Sequence, residues 1–133
     1  MAGVVTADAA MAAAIEAMGG PFVWGRADCC TGPADAFAAL WGMDPMAPVR
    51  GYVGMVGATR MIREAGGLHR LAAHLAATSG LREVDPAEAK PGAIGVVANG
   101  FGHSLGLCVG PGWAVKTRTG LAIINEAEAA WCV

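Results

Sequence analysis

The chain has 133 residues, 55% of them hydrophobic and 15% charged, with a formal net charge of −2. That length holds one buried core and not two ordinary domains, so a single unit over residues 1–133 is expected. Near-neutral charge without a run of Lys or Arg excludes a basic groove that tracks phosphates, and with it nucleic acid as a partner. The 20 glycines and many alanines fit a tightly packed small protein with apolar surface left for a partner to cover.

The first half reads as helical and the second as strands, which predicts an α+β fold with an antiparallel sheet. Ala7 to Met18 is the first expected helix. Asp8 and Glu16 interrupt its apolar run and Gly19-Gly20 ends it, so it falls short of the ~20 apolar residues of a membrane span, and no membrane partner is expected. No positively charged region precedes an apolar run near the N-terminus, which argues against a secretory signal. Pro21 to Gly25 is an extended aromatic lead-in, and Arg26-Ala27-Asp28 a turn. A second helix starts near Cys29 to Pro33, because proline is tolerated in a first turn, and runs to Trp41 before Gly42. Met43 to Val53, with Pro45, Pro48 and Gly51, reads as a loop. Helices over Val56 to Ala65 and Leu68 to Thr78 follow, the latter repeating Leu68, Leu71, Ala72 and Leu75 on one face. After Pro86 and Pro91-Gly92 come apolar stretches at Ile94 to Ala98, Leu105 to Val109, Trp113 to Thr117 and Leu121 to Ile124. Glycine-rich turns separate them, and they read as a meander of short antiparallel strands.

The four cysteines, Cys29, Cys30, Cys108 and Cys132, lack the C-x-x-C spacing of a zinc site, and neighbours in sequence rarely pair as disulfides, so neither metal nor disulfide scaffold is expected. Cys108 and Cys132 read as free buried thiols, and Cys30 as packing inward. Cys29 differs. A thiol is a weak nucleophile until it loses its proton, and the backbone N–H groups and dipole of a helix N-terminus favour the thiolate. Asp28 just before it has the chemistry of a helix cap. His69 and His74 read as surface or rim residues. Trp24, Trp41, Trp113 and Trp131 read as core and cleft-wall aromatics.

Phe22-Val23-Trp24-Gly25-Arg26-Ala27-Asp28-Cys29 resembles the nucleophile segment of the NlpC-like cell-wall peptidases, a papain-like family of cysteine peptidases. Pro91-Gly92 with the strand Ile94 to Ala98, and the strand from Gly102-His103-Ser104-Leu105-Gly106 to Gly110, resemble that family's next two motifs in order and spacing. The ending Ala130-Trp131-Cys132-Val133 is similar to that of small phage-encoded members associated with tails. The resemblance implies a papain-like, NlpC-type fold in which the N-terminal helices, one bearing the nucleophile, pack on a C-terminal antiparallel β-meander. It implies a peptidase that cleaves peptidoglycan stem peptides without metal or cofactor. Such a protein is made in the bacterial host cytoplasm, held by phage tail hub or tip proteins, and carried in the virion at the tail tip.

Cys29 then corresponds to the nucleophile and His103 to the base. In the family the histidine stands two residues before the strand glycine. His103 stands three before Gly106, with Ser104 in the family position, so either a one-residue bulge re-aims His103 or the base is missing. The position of the imidazole-orienting residue falls on Lys116, which as a cation cannot accept from an imidazole N–H. Strand alternation assigns Thr117 and Thr119 to the face of His103 and Lys116 to the other, making Thr117 the expected orienter. Trp24, Asp28, Ser104 and Lys116 are expected to line the substrate cleft. Phe22 replaces a family tyrosine, which leaves the oxyanion to backbone N–H groups near Cys29. These departures motivate the alternative of a catalytically inactive structural or adaptor subunit of the tail tip; an amidase or acyl transferase on the same scaffold is a third reading.

Overall fold

Helix formation begins at Thr6, whose hydroxyl accepts from the Ala9 N–H at 3.1 Å and caps α1 (Ala7–Met18). The computed structural model describes residues 4–99 and 102–133. In α1 the positions one turn apart, Ala10, Ala14 and Met18, are fully buried. Two of the three are methyl-sized, so α2 (Thr31–Trp41) approaches closely: a Cβ on Gly32 would lie 2.7 Å from Met18 Cγ. Gly42, with a φ of 75°, ends α2 in the left-handed conformation. Before it, the Trp41 indole donates to the Gly92 carbonyl at 2.9 Å and ties the helix to the Pro91-Gly92 turn. α3 (Gly54–Glu64) buries only Ala58, whereas α4 (Leu68–Thr78) buries its Leu68, Leu71, Ala72, Leu75 and Ala76 stripe. No helix among the described residues is long and apolar enough to cross a membrane.

The second half forms an antiparallel sheet of β1 (Arg82–Val84), β2 (Ile94–Ala98), β3 (His103–Cys108), β4 (Trp113–Lys116), β5 (Leu121–Ile124) and β6 (Ala129–Cys132). The fold is therefore α+β, with four α-helices and six strands among the described residues. The strand order is β1-β6-β2-β3-β4-β5, so the expected meander is present as β2 to β5 but is not the whole sheet. β6 returns to pair with β2, and β1 pairs with β6 from outside. Both extra strands lack a β signal of their own. Arg82-Glu83-Val84 is short and mostly charged, and Ala129 to Cys132 has neither β-branched residues nor alternation; pairing imposes their form.

Side chains from the two sheet faces enter two clusters. Val96, Leu105, Leu107, Ala114 and Trp131 pack with Met18, Phe37, Leu71 and Leu75 of the helices. Val97, Cys108, Trp113, Val115 and Ala130 form the other cluster, against which Ala89 and Ala127 of the connecting segments pack. Burial on both faces explains why β2 is a continuous apolar run rather than an alternation. Its one glycine is required by space. A Cβ on Gly95 would lie 2.6 Å from the Ala129 carbonyl oxygen and 2.7 Å from the Trp113 ring. Gly95→Ala should therefore destabilise the protein by about 1 to 3 kcal/mol, as overpacked cores do, read as a lowered midpoint in urea unfolding. An unchanged midpoint would show that β6 and Trp113 can shift freely.

Candidate active site

The site is built around one carboxylate. Asp28 is fully buried, and each of its oxygens accepts two hydrogen bonds. Oδ1 accepts from the N–H groups of Cys30 and Thr31, both at 2.8 Å. Oδ2 accepts from Gly25 N–H at 2.8 Å and from the Tyr52 hydroxyl. In return the Asp28 N–H donates to Thr31 Oγ1 at 2.9 Å, and the Asp28 carbonyl accepts the first i→i+4 bond from Gly32 at 2.9 Å. This is a reciprocal capping box. It makes Asp28 the functional N-cap, and the helical turn runs back from Thr31 to Cys29, the first residue after the cap. Asp28 is thus a cap, as its sequence position predicts, with no surface left to line a cleft.

Burial pushes the Asp28 carboxyl up, but the Tyr52 hydroxyl and the three N–H donors outweigh it and hold it below 3.8. Burial and the adjacent carboxylate push the Tyr52 phenol far up, so it stays a neutral donor. The loop that carries Tyr52 is held by Arg50, whose guanidinium bonds Asp35 of α2 and Asp44, each at 2.6 Å. Sequence reasoning missed Tyr52; the loop's charges, Asp44 and Arg50, were its one visible signal.

Cys29 is half-buried and Cys30 is buried in the helix-side core. Their sulfurs and an Asp28 carboxylate oxygen all lie within 4.8 Å of one another. With four donors already on Asp28, this grouping has only its two thiols to offer a metal. The Cys30 thiol, acting as a donor to its neighbour, lowers the Cys29 thiol, against burial and the Asp28 charge, which raise it. Cys30 itself is pushed well up, so Cys29 is the sulfur that ionises first. Cys108 is buried and Cys132 half-buried; all four cysteines are free.

The start of α2 wedges into the sheet where β3 and β4 diverge. Leu105 N–H of β3 donates to the Cys29 carbonyl at 3.1 Å, and a Cβ on Gly32 would meet Lys116 Cβ of β4 at 3.6 Å. β3 pairs with β2 without a break from His103 to Leu107, so there is no bulge. None is needed, because plain alternation puts His103 on the face of Leu105 and Leu107, the helix side from which Cys29 approaches. His103 is exposed, and its Nε2 lies 3.1 and 3.2 Å from the two carboxylate oxygens of Glu128. Among the described residues no hydrogen bond joins the imidazole to the Cys29 sulfur.

The other expected site residues fall elsewhere. Lys116 is on the helix side, not opposite to it as alternation from the Gly110-Pro111-Gly112 turn predicts. The reason is register: Leu107 faces Ala114 in the helix-side cluster, and Lys116, two residues on from Ala114, shares its face. Its ammonium is buried and donates to the carbonyls of Gly20, Thr117 and Gly120 at 2.6, 2.7 and 2.8 Å. Thr117 lies beyond the strand, where its hydroxyl accepts from Gly120 N–H at 3.1 Å, so it does not orient His103. Ser104 is fully buried on the opposite face and its hydroxyl has no partner among the described residues. Of the expected cleft residues only Trp24, 38% exposed and edge-on to Phe22 at 4.7 Å, faces solvent beside the nucleophile loop. A cleft of about 520 Å³ lies away from Cys29 along β1, lined by Trp41, Arg82, Val84, Lys90 and Cys132.

Sequence comparison adds a single finding. The family described as Domain of unknown function (DUF6950) matches residues 5–133. The chain belongs to that family. No curated protein and no solved structure matches this DUF6950 chain.

Two measurements test the construction. Because the Asp28 carboxyl is lowered on folding, its contribution to stability is present above 3.8 and is lost as the pH falls through its folded value. Asp28→Asn should cost about 1 to 3 kcal/mol at neutral pH, and the gap to wild type should narrow in acid, followed by urea unfolding across pH. A gap constant with pH would refute the charged cap. Lys116→Met should cost about 2 kcal/mol or more by stranding three carbonyls, seen as a drop in thermal midpoint. Equal midpoints would mean that water replaces the ammonium.

Proposed function

We propose that the protein is a cysteine hydrolase of the papain-like, NlpC-type fold, a peptidase acting on peptidoglycan stem peptides from a phage tail tip. The observation that carries the chemistry is the pairing of a capped helix start at Cys29 with a strand that presents His103 on the same side. The substrate and the tail location rest on the sequence resemblance alone.

In this reading the Cys29 thiolate attacks the scissile amide carbonyl, and His103 takes the thiol proton and passes it to the leaving amine. Water then hydrolyses the thioester. The N–H groups of Cys30, Thr31 and Gly32 are committed to Asp28, whereas that of Cys29 meets only its own sulfur among the described residues. It is the available donor to the oxyanion. Since the His103–Cys29 bond is not made, the imidazole must turn toward the sulfur when substrate arrives, and catalytic hydrogen bonds commonly tighten at that stage. The unmade bond also supports the second reading, an inactive adaptor in a tail.

Incubation of the purified protein with cell-wall sacculi should release new amino groups. Cys29→Ala should abolish the release, and His103→Ala should slow it by about 100-fold or more. Release that survives Cys29→Ala would sink the mechanism. Labelling of Cys29 by a thiol reagent no faster than that of Cys132, with no release, would select the adaptor.

A further inference from the structure

Resting on that reading of Cys29 and His103, we propose that Glu128, immediately ahead of β6, is the positioning residue that sets the tautomer and direction of the His103 ring. An ionised carboxylate can only accept, so a ring nitrogen 3.1 and 3.2 Å from its two oxygens must carry the hydrogen. Nε2 is therefore N–H, and Nδ1 of the neutral ring carries the lone pair. Nδ1 has no hydrogen-bond partner among the described residues. A base needs that free lone pair, and a carboxylate on the far nitrogen stabilises the imidazolium formed when the base takes a proton.

The topology sets the three groups in a row. Cys29 is held at the splay of β3 and β4 through the Leu105 N–H. His103 is on β3, and Glu128 lies on the other side of β2, where its N–H donates to the Val96 carbonyl at 2.8 Å. That bond and the buried Ala129 and Ala130 after it fix the carboxylate's backbone to the sheet. The two residues first expected to orient the imidazole are engaged elsewhere, Lys116 with three carbonyls and Thr117 with its own turn. The other titratable groups about the nucleophile are Asp28 and Cys30, both buried, and the Tyr52 phenol that donates to Asp28. The His103 and Glu128 side chains are 44% and 47% exposed, and a polar contact so exposed adds little to stability. Its removal therefore leaves the fold intact and isolates the effect on the ring.

Nitrogen NMR of the protein labelled at histidine reads the tautomer directly. His103 should be the Nε2–H form in the wild type and a mixture in Glu128→Ala; an Nδ1–H ring in the wild type overturns the proposal. The second readout is the rate of Cys29 alkylation by iodoacetamide against pH, with thermal midpoints as the control for folding. Glu128→Ala should slow alkylation at neutral pH by about tenfold, toward the rate of His103→Ala. Glu128→Gln should restore most of the rate, since its carbonyl still accepts from Nε2–H, with the profile moved to lower pH because the charge is gone. Wild-type rate and profile in Glu128→Ala, beside a slowed His103→Ala, would overturn Glu128 alone. Wild-type behaviour in His103→Ala would remove the base itself, and Glu128's role with it.

Discussion

The buried Asp28 carboxylate is the constraint on which the functional half of the molecule depends. An ionised group out of water is tolerated only when its lone pairs are filled, and here each filling bond ties down a different piece of chain. Gly25 N–H closes the aromatic turn before the cap, the Cys30 and Thr31 N–H groups start α2, and the Tyr52 hydroxyl brings in the loop after it. Cys29 stands where it does because the residue before it has no freedom left.

The same carboxylate opposes the chemistry it positions. Its negative charge disfavours a thiolate next to it, as does burial. The neighbouring Cys30 thiol and the helix N-terminus work the other way, and the outcome favours ionisation of Cys29. A vicinal pair of cysteines has a physical use in that balance. The buried member stays protonated and serves as a donor, so the half-buried member carries the charge.

Local patterns in the sequence go a long way toward this fold. The spans of α1 and α4 and of β2 and β5 follow directly from apolar stretches set off by glycines, and the Asp-Cys pair marks the cap and the first turn of α2. β1 and β6 were not legible, because their strand form comes from each other and from β2. The same limit holds for the site. The His103 offset from Gly106 reads as a defect when counted along the chain, yet the unbroken register of β3 turns it into an orientation toward the helices. Lys116 and Thr117 were assigned to faces from a turn whose register only the pairing of Leu107 with Ala114 determines. Tyr52 and Glu128 are separated by 24 and 25 positions from the residues they bond, beyond the reach of any local pattern.

The strand order also bears on how the chain folds. β2 is the most apolar strand and, once β3 has paired with it, keeps one open edge until β4 and β5 have formed and β6 arrives. That closing contact spans more chain than any of the hairpins from β2 to β5, so its entropy must be met before pairing returns anything. A collapsed intermediate with β2 to β5 in place would display a flat, uncharged edge, the kind that pairs with another copy of itself. The charged, short β1 then acts as a stopper, blunting the outer side of the sheet after β6 has sealed it.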